Sequence, residues 1–566
     1  MITDTDKRFC SLLFDVMEAK GVKDIVCSPG SRNAPLLLAA SARNSLKKHF
    51  VIDERAAGFM AYGLALVSRK PVALVCTSGT ALLNYSPAVA EAYYHGVPLV
   101  VISADRPMQW IDQEDSQTIR QPDALANFVK KSYNMPVGPD NDSELLWYVN
   151  RITNDALITA CSQRPGPVHL NVPLAEPLGL KKIKNSDTPR IIEFIQADSI
   201  GNKEIIRQLA MRVAKSKVML VAGFMSPDSA LQKSVSSFAR FPNVAVMAET
   251  ISNLHLTLTD YSVDSVLTAY DKSRLEELSP DLIISVGGSL VSRKLKEYLR
   301  KNIGNCEHWA IGYTHTTVDC FQSLSLRIET DITRFFRSLS SSLSKLQIAA
   351  HSTGYKDSWL DARKKALQIK NTFVDNSPWS ELQAFNLILN NIPGSCNLLL
   401  SNGTPIRYDQ IITHKLPHST WCNRGVSGID GTVATAVGAA KSYPGVTLLI
   451  TGDLSLSYDI GSLGLKEIPD RLKIIVIDNE GGGIFRFISS TSGLEEREKY
   501  FCMKPDLSLK EIAEGFGWEY MEADSENSLS CNLKKLYSST HKTILRVVCD
   551  GVRSAEILKA YMKIKC

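Results

Sequence analysis

No apolar run of membrane-spanning length, no CxxC pair, no GxGxxG fingerprint, no basic block and no low-complexity tract occurs in the 566 residues. Each absence removes a class. A spanning helix needs about 20 apolar residues, so an integral membrane protein is not expected. Twelve cysteines without CxxC pairing argue against a zinc ribbon or a disulfide frame. Several of them, such as Cys27, Cys76 and Cys549, sit inside apolar strand-like runs and read as buried reduced thiols. A net charge of +5 spread over so long a chain gives no reason to expect nucleic acid or a membrane surface as partner. The opening MITDTDKRFC lacks a signal-peptide h-region, so a cytoplasmic location is expected. At 44% hydrophobic and 22% charged, the composition is that of an ordinary soluble globular protein, and the length suggests three domains.

What is present centres on Val446 to Phe485. An apolar β-branched run, Val446 to Thr451, breaks at Gly452-Asp453, and a second, Leu472 to Ile477, closes on Asp478-Asn479-Glu480-Gly481-Gly482-Gly483. Both runs read as buried parallel strands, and open α/β sheets bind ligands at the carboxyl ends of such strands. Asp453 offers a carboxylate, Asn479 an amide oxygen and the glycines a free backbone carbonyl. Around one Mg²⁺ that set would hold a diphosphate. Either half alone reads as an ordinary turn; the two at matching strand ends favour the metal.

The rest of the chain repeats this layout. Residues 5–20 form a first helix. Strands are expected at Asp24–Cys27, Phe50–Ile52, Val72–Cys76 and Leu99–Ser103, ending respectively in Ser28-Pro29-Gly30-Ser31-Arg32, Asp53-Glu54-Arg55, Thr77-Ser78-Gly79-Thr80 and Ala104-Asp105-Arg106-Pro107. That is a doubly wound parallel sheet with a polar rim. The Ser28–Arg32 turn reads either as an anion site or as a plain loop, and Glu54 alone reads as a first-turn helix acid. Residues 109–126 form an ordered loop, and Gly166–Val172 the last strand of this domain. A central domain over 186–350 has strands at Val218–Ala222, Val244–Ala248, Leu282–Val286 and Glu307–Ile311. Its Gly287-Gly288-Ser289 reads as structural filler, and Ser338–Thr353 as a linker. The third domain, 351–566, has a helix from Trp379, strand Asn397–Leu400, a small-residue helix Thr432–Lys441, the organising unit, and a closing strand Thr543–Val548.

The Gly-Asp to Asn spacing resembles the thiamine-diphosphate enzyme signature, with Leu454 where a Gly is usual. In order along the chain, SPGSRNAPL, DERAAGF, TSGTA, ADRP, SQTIRQP, NRGVSGIDG, GDLSLSYD and DNEGGGIF resemble one branch of it, the 2-succinyl-5-enolpyruvyl-6-hydroxy-3-cyclohexene-1-carboxylate synthase family. Both outer domains match closely, the middle one weakly. The resemblance implies three α/β domains: pyrimidine-binding (1–185), central (186–350) and diphosphate-binding (351–566). It further implies a homodimer or homotetramer with active sites at the subunit interface, and small-molecule substrates, isochorismate and 2-oxoglutarate. The implied cofactors are thiamine diphosphate and Mg²⁺ or Mn²⁺.

Carried over by position, Glu54 is the catalytic carboxyl, hydrogen-bonded to the cofactor's pyrimidine N1′. Ile429 wedges beneath the cofactor, flanked by Ser427 and Gly428. Thr77, Gly79, Asn402, Gly403, Gly452, Asp453, Leu454, Ser455, Asn479, Gly481, Gly482, Ile484 and Phe485 complete its cradle. Asp453, Asn479 and the Gly481 carbonyl take the metal. Relative to the family one residue is missing between Asp and Asn; anchoring on GGGIF selects Asn479, and another placement of the gap selects Glu480. Arg407 and Arg424 match succinyl-binding positions; Ser31, Arg32, Arg106 and Gln117 match isochorismate positions. Arg293 and Lys294 reverse the usual Lys-Arg order, and Ser116 replaces a usual Asn. Phe485 and Ile488 form an apolar wall. The rival readings are another thiamine-diphosphate 2-oxoacid decarboxylase or acetolactate-type carboligase, and a non-catalytic α/β nucleotide-binding protein.

Overall fold

The computed structural model of the chain describes residues 4–139, 141–178, 182–183, 188–195, 203–256, 262–301, 306–488 and 490–566. The expected boundary at 185/186 lies outside them. Two compact units partition the chain. One comprises residues 1–196, 425–447 and 458–472; the other comprises 197–424, 448–457 and 473–566.

The first unit is built on a six-stranded parallel sheet in the order Lys47–Phe50, Asp24–Cys27, Val72–Cys76, Leu99–Asp105, Val168–Pro173, Ser132–Asn134. Its inner strands are buried on both faces, which is why they read as continuous apolar runs. The strand expected at Phe50–Ile52 lies earlier, at Lys47–Phe50, paired with Asp24–Cys27. As an edge strand it carries Lys47 and Lys48, and such charge is a usual feature of edges. Ile52 is left in the following turn, 86% exposed. Helix Glu54–Ser68 packs against helix Thr432–Ser442 at very short range. A methyl group on Gly63 would lie 2.1 Å from the Thr435 carbonyl oxygen, and one on Gly438 2.1 Å from that of Met60. The two backbones meet where neither helix has a side chain.

The second unit holds two sheets. The central one is five-stranded, in the order Val244–Ala248, Val218–Ala222, Leu282–Val286, Glu307–Ile311, Leu324–Ile328. Successive side chains of Val218–Ala222 alternate between its two faces. Val218 and Leu220 join the core formed with Phe238, Phe335 and Leu339, while Met219 and Val221 face Val266, Tyr298 and Trp359. The fifth strand was not expected from the sequence. Nor is Ser338–Thr353 a linker throughout. Helix Ile332–Leu343 runs through its first six residues, burying Phe335, Phe336, Leu339 and Leu343, with Ser338, Ser340 and Ser342 half-buried and Ser341 exposed. Gly287-Gly288-Ser289 closes against Gly223 and Phe224 as a tight backbone contact, in keeping with a packing role.

The other sheet runs Ser419–Cys422, Asn397–Leu400, Thr447–Gly452, Leu472–Asp478, Thr543–Val548, Glu519–Ala523. Numbered within each domain, this sheet and the first share one strand order, 2-1-3-4-6-5. In both, the order reverses between the first and third strands, and ligands of doubly wound sheets bind at that switch point. The loops there are Ser28–Arg32 and Thr77–Thr80 in the first sheet, and Ser401–Thr404 and Gly452–Ser455 in the last. All twelve cysteines are free thiols, with Cys27, Cys76 and Cys549 buried. Among the described residues no helix is long and apolar enough to cross a membrane.

Candidate active site

At the switch point of the last sheet, strand Thr447–Gly452 ends on Asp453, which opens helix Asp453–Tyr458. The neighbouring strand Leu472–Asp478 ends in a turn whose Glu480, Gly481 and Gly482 all have positive φ. This curl aims the Gly481 N–H at Asp453, whose Oδ2 accepts it at 2.7 Å while Oδ1 accepts the Leu454 N–H at 2.7 Å. A side chain at position 481 would strike the Met503 carbonyl oxygen at 2.1 Å, so glycine is required there by space as well as by backbone angle. Burial pushes the Asp453 carboxyl up to about 6 against the pull of the Gly481 N–H, and the Asp478 charge adds to the rise. Asp478 is itself committed to Arg546, at 2.8 Å from Nε.

Asn479 is 3% exposed. Its Nδ2 donates to Glu381 Oε1 at 2.9 Å, and its backbone carbonyl accepts from Arg486 Nη1 at 2.8 Å. Its Oδ1 is buried and, among the described residues, has no hydrogen-bond partner. Glu480 instead turns outward to Lys504, at 3.0 Å. Among the described residues no three His, Cys, Asp or Glu side chains converge as a metal site; the set here has one carboxylate and an amide oxygen.

Beside this turn lies a cavity of about 680 Å³, lined by Arg407, Lys294, Arg293, Asp264, Ile484 and Ile488 among others. Burial, and then the neighbouring Arg424, push the Arg407 guanidinium below its usual range. Two adjacent cations in a low-dielectric wall favour an anion between them. Arg424 Nη1 donates to Asn402 Oδ1 at 2.9 Å, and Asn402 Nδ2 returns to the Asn423 carbonyl at 2.6 Å. Gly403, with positive φ, precedes helix Thr404–Asp409, and Ser455 is buried in the first turns after Asp453. Arg293 is mostly exposed and pairs with Glu297 at 2.7 Å. Phe485 packs on Phe501, and Phe487 lines the cavity with Ile484 and Ile488.

The first unit carries the remaining positions. Asp53 caps helix Glu54–Ser68 by accepting the Arg55 and Ala56 N–H groups, leaving Glu54 half-buried at its first position. Thr77 Oγ1 is buried and, among the described residues, unpartnered. The Gly79 N–H donates to Gln121 Oε1 at 2.7 Å. Gln117, in the left-handed region, lies over Gly79 with its side chain exposed. Arg106 Nε bonds the Ser116 carbonyl at 3.1 Å and Asp115 at 2.9 Å. Arg32 is buried and pairs with Glu176 at 3.0 Å, next to an exposed Ser31. In the loop 425–431, Glu91 accepts the Gly425 and Val426 N–H groups at 2.7 Å each; Ser427 has positive φ, and Ile429 is 39% exposed.

A family model described as "Thiamine pyrophosphate enzyme, N-terminal TPP binding domain" matches residues 7–125. The chain is 40% identical to the 2-succinyl-5-enolpyruvyl-6-hydroxy-3-cyclohexene-1-carboxylate synthase of Porphyromonas gingivalis, covering 98% of this chain and 97% of that protein. It is 37% identical to the synthase of the same name from Flavobacterium johnsoniae, over 97% and 98%, and 32% identical to that of Bacteroides thetaiotaomicron, over 98% of each. The chain belongs to the 2-succinyl-5-enolpyruvyl-6-hydroxy-3-cyclohexene-1-carboxylate synthase family.

A member of this synthase family is a thiamine-diphosphate enzyme and a transferase. The donor set here suits that cofactor. A buried carboxylate and an orphaned buried amide oxygen at adjacent strand ends are the oxygen ligands a hard divalent ion and its diphosphate require. Three buried acids had no signal in the sequence. Glu381 holds Asn479, Glu91 holds the 425–431 loop, and Glu249 accepts the Val291 and Ser292 N–H groups at 2.7 Å each. Burial pushes Glu249 and Glu381 up to about 7. Gln121 was present in the SQTIRQP string, and its role in pinning Gly79 follows only from its burial beside Ala104 and Asn171.

Proposed function

We propose that the protein catalyses thiamine-diphosphate- and Mg²⁺-dependent decarboxylation of 2-oxoglutarate and addition of the resulting succinyl unit to isochorismate. The products are 2-succinyl-5-enolpyruvyl-6-hydroxy-3-cyclohexene-1-carboxylate and CO₂, in menaquinone biosynthesis. The observation that carries the metal-dependent part is the hydrogen bond from the Gly481 N–H to Asp453, which sets the loop of Asn479 against that carboxyl group. In that loop the Asn479 oxygen is buried and, among the described residues, without a partner. The exposed, Lys504-paired position of Glu480 supports Asn479 over Glu480 as the ligand.

When bound, thiamine diphosphate supplies the nucleophilic carbon and the electron sink for loss of CO₂ from a 2-oxo acid. The protein does the rest. Asp453, Asn479 and the Gly481 carbonyl hold the metal, and Gly452, Leu454, Ser455 and Gly482 shape the surrounding backbone. Glu54 is the carboxyl that would hydrogen-bond the pyrimidine N1′ nitrogen and exchange a proton with it. Thr77, Gly79, Asn402, Gly403 and Ser427–Ile429 line the cofactor. Arg407 and Arg424 take the carboxylates of 2-oxoglutarate, and a planar guanidinium suits that pairing. Ser31, Arg32, Arg106 and Gln117 take isochorismate, with Lys294 and Arg293 at the cavity edge. Ile484, Phe485 and Ile488 keep water out.

The protein acts as a cytoplasmic homodimer or homotetramer with active sites at subunit interfaces, and its domains run 1–185, 186–350 and 351–566. Ile52 and Met108, 86% and 87% exposed in the loops that carry Glu54 and Arg106, support an interface there. The test is CO₂ release from 2-oxoglutarate with and without isochorismate, with mass analysis of the product. The adduct is expected. Succinic semialdehyde as the main product in the presence of both substrates would instead favour a simple decarboxylase.

A further inference from the structure

We infer that Glu381 is a positioning residue that sets which atom of the Asn479 amide faces the metal. The inference rests on the assignment of Asn479 as a ligand. An asparagine amide has two nearly isosteric ends, and only the oxygen can coordinate Mg²⁺. A ligand of this kind therefore needs a neighbour that distinguishes the ends.

Glu381 is placed to do so. It opens helix Glu381–Asn390, is 2% exposed, and accepts from Asn479 Nδ2 at 2.9 Å. The Oε1 atom that faces the amide accepts its N–H, so it holds the NH₂ end and turns the oxygen away from itself, into a position where, among the described residues, that oxygen has no other partner. The backbone that carries Glu381 is anchored from behind. The Glu381 N–H donates to Ser554 Oγ at 3.0 Å, and Trp379 Nε1, two residues earlier, donates to the Val548 carbonyl at 3.0 Å. The Asn479 backbone is fixed independently by Arg486, which is 4% exposed. Main chain and side chain are thus held by different groups, and Glu381 controls only the second. Outer-sphere partners of metal ligands commonly change metal affinity 10- to 100-fold when replaced.

The test is a double-mutant cycle read by binding. Mn²⁺ affinity is measured by electron paramagnetic resonance with thiamine diphosphate present, and the Mg²⁺ dependence of thiamine diphosphate binding by tryptophan quenching. Glu381→Gln is expected to weaken Mn²⁺ roughly 10- to 100-fold, because glutamine can accept from or donate to either end of the amide. In an Asn479→Asp background there is no amide to orient, and Glu381 faces a second carboxylate. There Glu381→Gln is expected to leave Mn²⁺ affinity unchanged or to raise it. An equal loss in both backgrounds would make Glu381 a structural group and overturn the inference. Unchanged affinity in Glu381→Gln alone would overturn it too, while leaving Asn479 as a ligand. If Asn479→Ala itself leaves Mn²⁺ affinity and the Mg²⁺ dependence intact, the ligand assignment fails and this role with it.

Discussion

Replacing Gly63 by alanine tests the closest helix contact in the first unit, and the sign of the outcome is informative. In an exposed helix the change stabilises by about 1 kcal/mol, because alanine is the better helix former. At Gly63 the new methyl would stand 2.1 Å from the Thr435 carbonyl oxygen, 2.9 Å from its carbon and 3.1 Å from the Ala439 nitrogen. All three are backbone atoms, so no rotamer change relieves the clash. Carbon contacts need roughly 3.5 Å, so the helices must part by on the order of 1 Å. Overpacking of this kind costs about 1–3 kcal/mol, and the upper half of that range applies where backbone meets backbone. After the propensity gain the net is a loss of about 1–2 kcal/mol, or roughly 2–8 °C in the transition of this unit. Scanning calorimetry with hydrogen exchange on helix Glu54–Ser68 reads it. Gly438→Ala should behave alike, and the double variant should lose less than the sum, because helices parted by one methyl have room for the other. A rise in Tm for Gly63→Ala, with additive effects in the double variant, would refute the packing argument.

The other expectations are more local. Burial pushes His169 down to about 4 from an ordinary 6.5. The unfolded chain therefore takes up this proton first as pH falls. The contribution is fully present above pH 6.5, declines toward pH 4, and amounts to on the order of 3 kcal/mol. Denaturation of His169→Gln at pH 7 and pH 5 should show a smaller difference between the two pH values than the parent; an equal difference counts against the argument. Arg407→Ala should raise KM for 2-oxoglutarate roughly 10- to 100-fold by removing a charge-assisted contact; an effect confined to isochorismate would exchange the two pockets. Glu54→Gln should slow deuterium exchange at the cofactor C2 about 100-fold or more with thiamine diphosphate affinity retained, and unchanged exchange would remove Glu54 from its role. Asp453→Ala should abolish the Mg²⁺ dependence of cofactor binding seen in titrations with and without metal; a dependence that persists would exclude Asp453 as a ligand.

The interior strands were legible in the sequence because a parallel strand buried on both faces is a nearly unbroken apolar run. Asp24–Cys27, Val72–Cys76, Val218–Ala222, Leu282–Val286 and Thr543–Val548 lie where such runs occur. Several strands toward the sheet edges were not, although the edge strand Val244–Ala248, an unbroken apolar run, was. Leu324–Ile328 and Glu519–Ala523 are half solvated and mix charge with apolar residues, and Lys47–Phe50 begins with two lysines. Nothing local distinguishes them from loops. The ligand loops were legible for a related reason: Gly-Asp and Asn-Glu-Gly punctuate apolar runs at a spacing that the topology converts into adjacency. Glu91, Glu249 and Glu381 were not, because an acid within a helix or at a strand end is normally solvated. Only the chain folded around it turns it into a buried acceptor of N–H groups.

The contact between helix Glu54–Ser68 and helix Thr432–Ser442 also sets a schedule for synthesis. The first sheet is complete once Val168–Pro173 has emerged, yet the helix that covers Gly63 ends about 270 residues later. At 5–20 residues per second the ribosome takes about 15 to 50 seconds to deliver it. Throughout that interval the nascent amino-terminal domain displays a bare, glycine-floored furrow awaiting its lid. A chaperone that shelters this furrow would serve the chain best between those two moments.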